Sequence, residues 1–195
     1  MKNYKFKWGG KPNITIPKLF GGESLDISTI VISGSSLEGS SSIQTHEDMN
    51  VGDTVLAASI ERLPDTDVSS EFLLWEYTGS DIASQITLVT ASIESIQGSS
   101  HADFKLIETS GKSEPLKITD SHPLLVKTGS SWAFEYVGDI DIGKVEEYTL
   151  VSSSLEEVEI NSITQITGSQ TTGSFRRFDI EPQDTYFADG ILIHN

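Results

Sequence analysis

Short runs of apolar or alternating residues rich in Val, Ile and Thr, each cut off by Gly, Ser or Asp, recur along almost the whole chain, and this rhythm leaves room for little except strands. Residues 13–17, 27–32, 53–57, 85–90, 104–107, 115–118 and 157–160 are each too short for a buried helix and carry β-branched side chains that suit a pleated surface. Helix is sparse. Its best stretch is 69–75, weakened by aromatic neighbours. The serine-rich pieces 98–100 and 168–174 read as loop tips, and no repeat of solenoid period is present. The expectation is an all-β fold built as a sandwich, barrel or folded ribbon.

Charge divides the chain unevenly. Across 195 residues, 29 acidic side chains against 13 basic ones give a net charge of -16, which argues against nucleic acid or an anionic membrane as a partner of the main body. Residues 1–22 nevertheless hold Lys2, Lys5, Lys7, Lys11 and Lys18 and no acid. Such a segment is expected to dock on an acidic surface, its own body or a neighbouring subunit of a larger assembly. The Gly and Ser clusters at 34–36 and 39–42 mark a junction, so the expected organisation is a basic arm over 1–35 and an acidic β body over 36–195.

The absence of cysteine removes disulfides, thiolate metal sites and a cysteine nucleophile, so any acyl chemistry starts from an oxygen. Four scattered histidines without cysteine make a transition-metal site improbable, and no cofactor is expected. His46 and His101 sit in polar surroundings without a pattern. No apolar run approaches the roughly 20 residues of a membrane span, and the N-terminus lacks the apolar core of a signal peptide; a soluble protein is expected.

Chemistry concentrates at the C-terminus, where an apolar run ends in His194-Asn195. A carboxamide can attack its own backbone carbonyl and release whatever follows the Asn, with a neighbouring imidazole moving the proton. The segment from Arg177 through Asp179, Asp184 and Thr185-Tyr-Phe-Ala-Asp-Gly-Ile-Leu-Ile-His194-Asn195 resembles the C-terminal splicing motifs of inteins and other Hint domains. Leu116-Lys-Ile-Thr119-Asp-Ser-His122-Pro-Leu-Leu-Val126 is similar to their Thr-x-x-His motif. Residues 36–45 followed by 49–56 are similar to the first strand, where the nucleophile stands first; that choice falls on Ser36, with Ser35 and Ser33 as alternatives.

The resemblance implies a horseshoe-shaped all-β Hint fold over 36–195 without an endonuclease insertion. It also implies single-turnover self-processing. Ser36 would attack the preceding carbonyl, His122 with Thr119 would serve that bond, Asp179 would link the two ends, and His194 with Asn195 would act at the C-terminal end. A weaker resemblance to Hint-bearing proteins of tailed phages implies a virion component, or one in the host cytoplasm, anchored by the arm. The alternative is a non-catalytic structural or decoration protein on the same scaffold; a lectin-like module is disfavoured, with no sugar-stacking aromatics beside paired carboxylates.

Three departures from the pattern stand out: Ser in place of the more frequent Cys at the first position, Asp184 where a His often precedes the last strand pair, and no residue after Asn195. Splicing in cis is therefore not expected of the chain as written.

Overall fold

The computed structural model describes residues 25–26, 28–33, 42–63, 70–101, 103–168 and 173–195. The strands are β1 (Leu25–Asp26), β2 (Ile30–Ser33), β3 (Ser42–Thr45), β4 (Thr54–Ile60), β5 (Glu76–Tyr77), β6 (Ile86–His101), β7 (Phe104–Thr109), β8 (Leu116–Ile118), β9 (Pro123–Thr128), β10 (Ser131–Tyr136), β11 (Tyr148–Val151), β12 (Glu157–Ile166), β13 (Gly173–Glu181), β14 (Thr185–Ala188) and β15 (Ile191–His194). Helix among the described residues is confined to short 3-10 segments, one of which, Ser70–Leu74, falls in the stretch expected to be helical. None is long and apolar enough to cross a membrane. The protein is all-β, as its periodicity predicts.

The strands form one antiparallel sheet running β11-β12-β7-β8-β1-β13-β6-β4-β2-β14-β15-β9-β10-β5, with β3 off this path and paired with β2. Because β11 also pairs with β9, through Leu150 and Val126, the sheet folds back on itself and encloses two cores. The larger core holds Leu25, Val31, Ala57, Ile118, Leu124, Phe178, Tyr186 and Ile193; the smaller surrounds Trp132 with Leu56, Leu125, Phe134, Phe187 and Leu192. Strand parity explains the division. In β4, β9, β14 and β15 successive side chains enter opposite cores, so these strands are buried on both faces and read as continuous apolar runs.

Two expectations are corrected. Residues 98–100 are not a loop tip: Gly98, Ser99 and Ser100 continue β6 and pair with Arg176, Phe175 and Ser174, since β13 supplies the ladder partners that local propensity does not. The strand expected over 27–32 is broken, because the Asp26 carboxylate accepts from the Ser28 amide at 2.9 Å and the Thr29 amide donates to the Asp26 carbonyl at 2.9 Å, an Asx-type turn. The sheet also takes in residues that precede position 35. β1 and β2 are strands of it, and Leu25 and Val31 are wholly buried in its larger core. The five lysines of 1–22, the expected strand 13–17, and Ser36 with Ser35 lie outside the described residues.

Candidate active site

Two strand registers build the site around one tight turn. The His122 amide donates to the Thr119 carbonyl at 3.1 Å, closing the Thr-x-x-His turn between β8 and β9. On the far side, the Val137 amide donates to the His122 carbonyl at 2.9 Å and the Gly138 amide to the Asp120 carbonyl at 2.7 Å. Lys105, almost fully buried, donates its ammonium to the Val137 carbonyl at 2.7 Å. Burial lowers the Lys105 pKa, while Asp120 and Asp139 act in the opposite sense. The turn is thus fixed at its base by backbone bonds and one buried cation.

β15 reaches this turn from the C-terminal side. It pairs with β9 at Ile193↔Leu124, two residues before Asn195 on one strand and two residues after His122 on the other. Residues directly opposite share a face, here that of Ile193 and Leu124 in the larger core. The Asn195 amide donates to the Asp184 carbonyl at 2.6 Å, and its side-chain oxygen is buried without a hydrogen-bond partner. Thr185, opposite His194 in the β14–β15 ladder, donates its hydroxyl to the Ala58 carbonyl. That bond locks the hairpin end onto β4.

His194 has the opposite parity and enters the smaller core. Its ring stacks on Phe72 at 3.8 Å with an interplanar angle of 17° and meets Phe134 edge-on at 5.4 Å. Contacts of this kind contribute about 0.5–1.5 kcal/mol each beyond area burial. Phe72 sits on the 3-10 segment Ser70–Leu74, whose last turn closes through the Trp75 amide to the Phe72 carbonyl. The short helical element therefore exists to aim one ring at His194.

His122 is buried, and its pKa falls to about 3, first because burial disfavours the cation and then because His194, His46 and Arg177 are close. The His194 backbone lies near enough to favour the protonated ring, yet neither ring nitrogen reaches full hydrogen-bond geometry with a protein group. Burial prevails, and the imidazole is neutral at physiological pH. Such a ring must accept a proton before it can give one.

His46, which carries no pattern in the sequence, is the residue that sequence reasoning misses. It is wholly buried, 4.1 Å from Phe178 by ring centroids, with Nε2 3.3 Å from the Tyr186 hydroxyl. Its amide donates to the Thr29 carbonyl at 2.8 Å. Burial, followed by the charge of Arg176, lowers its pKa to about 3, and burial raises that of Tyr186. Arg176 donates to the carbonyls of His46, Glu47 and Met49, so the turn carrying His46 is held by β13. The signal available in the sequence is only that His46 follows the strand 42–45 and precedes a turn.

The structure thus brings Thr119, His122 and His194 together, with Asn195 bonded to His194 and held at the Asp184 carbonyl. It does not bring Asp179 among them. That side chain is exposed on β13, where it accepts from the Ser95 hydroxyl at 3.3 Å, and Arg177 is the β13 residue whose charge acts on His122. The phase of β13 is the cause: Phe178 and Ile180 point into the core and leave Asp179 outward.

Comparison with known proteins gives the fold a relation. No family model matches the chain, and no curated protein is similar to it. Among solved structures, a bacterial intein-like domain from Clostridium thermocellum is similar with a TM-score of 0.60 and 15% identity, over 89% of this chain and 99% of that one. The gp41-1 intein gives 0.57 and 15%, over 89% and 99%. A DnaB intein from Synechocystis sp. gives 0.58 and 11%, over 88% and 97%. At these identities the likeness is one of fold: the chain has the Hint fold of inteins.

Proposed function

We propose that the protein is an intein-like self-processing module that breaks peptide bonds of its own chain, once per molecule. The observation that supports this best is the double convergence on the Thr119–His122 turn: β15, which ends at His194, pairs with β9 at Ile193↔Leu124, and β1 reaches the residue before Thr119 through Leu25↔Ile118. Strands far apart in sequence thus meet beside one turn.

At the C-terminal end the Asn195 carboxamide nitrogen attacks the Asn195 carbonyl carbon and the bond to the following residue breaks, leaving a succinimide and a free amine. A proton must leave the attacking nitrogen and another reach the departing one. His194 is held in a fixed plane by Phe72 and is adjacent in sequence to serve this exchange. At the N-terminal end a serine hydroxyl attacks the carbonyl before it, turning an amide into an ester. Neutral His122 accepts the hydroxyl proton and passes it to the departing amide nitrogen, as its lowered pKa permits.

Carriage on a larger assembly, a tailed-phage particle among them, is supported only by the lysine-rich, acid-free segment 1–22 beside an acidic body. An inert tag fused after Asn195 tests the activity. Prompt tag loss, abolished by Asn195→Ala, is expected; a tag that stays on a folded wild-type chain would leave a β scaffold without the chemistry.

A further inference from the structure

We infer that Lys105 is a positioning residue of the processing site: through Val137 its ammonium holds the backbone of the Thr119–His122 turn, and with it the His122 ring, in the working place. This rests on the self-processing reading above. Neither nitrogen of that ring reaches full hydrogen-bond geometry with a protein group, so no polar contact of its own orients it. Its backbone and its packing must do so.

Two consecutive amides grip that backbone. The Val137 amide donates to the His122 carbonyl at 2.9 Å, and the Gly138 amide donates to the Asp120 carbonyl at 2.7 Å. The Gly138 amide belongs to the same peptide group as the Val137 carbonyl, and it is this oxygen that receives the Lys105 ammonium at 2.7 Å. A cation on the oxygen polarises the whole group and strengthens its N–H as a donor, so the charge of Lys105 is felt at the Asp120 carbonyl. Position 138 is fitted to this. A Cβ there would stand 3.1 Å from the Asp120 carbonyl oxygen and 3.2 Å from the Asp120 Cβ, and glycine lets the two segments approach.

Architecture alone does not call for the lysine. The Val137 carbonyl also accepts the Ile140 amide, at 3.3 Å, and would keep that partner beside an apolar side chain at position 105. The ladder partners of Lys105 are Ile118 of β8 and Gln165 of β12, neither of them charged. The charges that act on it are Asp120, in the turn after β8, and Asp139, in the 3-10 segment Val137–Asp139; both favour the ammonium, whereas burial, the larger effect, disfavours it. A lysine so placed gives up its proton below the ordinary lysine value. The neutral amine that remains is the weaker donor, so the hold on the turn should slacken in alkali.

The test uses a chain tagged at each end. N-terminal release and tag loss at Asn195 are timed across pH, and amide hydrogen exchange is read at Val137 and, away from the turn, at Ala57 of β4. Lys105→Met should slow processing at least about tenfold and speed exchange at Val137 more than at Ala57. Gly138→Ala, which leaves the charge in place and presses on Asp120, should do the same. Lys105→Arg carries a charge that alkali does not remove, so it should restore the rate and abolish the alkaline fall that the wild type shows. Wild-type rates in Lys105→Met, an alkaline fall that survives Lys105→Arg, or a slowing with exchange raised equally at Val137 and Ala57 would overturn the inference. If the wild-type chain processes at neither end, the self-processing reading falls and the positioning role with it; if it processes and Lys105→Met keeps pace, only the role of Lys105 is lost.

Discussion

The two ends of the site are built in opposite ways. At the C-terminal end both strands of the β14–β15 hairpin, Thr185–Ala188 and Ile191–His194, are buried at every residue and gripped by two cores at once. At the N-terminal end a two-residue strand, Leu25–Asp26, is held by ladder bonds to β8 and β13 and by one buried apolar side chain, Leu25, beside the buried Asp26. The first is fixed by packing, the second by register. A site whose halves are secured so differently should lose them separately.

Truncating the ring over His194 should have the largest effect. Phe72→Ala removes a buried phenyl, costs about 3–5 kcal/mol of stability, and should slow tag loss at Asn195 more than any N-terminal release. Denaturant unfolding with dual-end mass analysis would show it; equal slowing at both ends would mean that the halves are not separable. Leu25→Ala should cost about 2–5 kcal/mol and show the reverse bias. If N-terminal release persists in a folded Leu25→Ala chain, register alone positions that end.

A smaller effect follows from pH. His46 and His122 have folded pKa values of about 3 against 6.5 for an unperturbed ring. Above pH 6.5 neither the folded nor the unfolded chain protonates them. Between 6.5 and 3 the unfolded chain binds protons that the folded one refuses, so stability falls as pH falls, by up to roughly 1.4 kcal/mol per pH unit for each ring. Urea midpoints from pH 7 to 4 should trace this loss, and His46→Gln should remove about half of the slope. An unchanged slope would mean that His46 is not held neutral. Smallest is Asp179→Asn, expected within about 0.5 kcal/mol of wild type and without effect on either release, because the carboxylate faces outward beside Ser95. A loss of activity there would restore Asp179 to the site.

The same contrast explains what the sequence reveals. The C-terminal half is legible because a strand buried on both faces must be apolar throughout, so Ile191-Leu-Ile193 before His194-Asn195 announces both its burial and its cargo. The Thr119–His122 turn is legible because its closure is local. The N-terminal half is not. Leu25 and Asp26 lie among glycines and polar residues, and their place in the sheet is set by β8 and β13, about 90 and 150 residues further along. The Gly and Ser clusters at 34–42 suggest a domain junction, yet β1 and β2 before them belong to the same sheet as the strands that follow. His46 is hidden for a related reason: its burial depends on Phe178, Tyr186 and Arg176, none of them near it in sequence. Motif position points to Asp179, but it carries no information about strand phase, which turns that side chain outward beside Ser95.

The central claim is that one turn serves both ends, and His122→Gln in a chain tagged at each terminus tests it most directly. If the turn is shared, the rates of N-terminal release and of tag loss at Asn195 should both drop, by about a hundredfold or more, in a protein whose unfolding midpoint shows it folded. Loss at one end with the other unchanged would contradict the shared pocket.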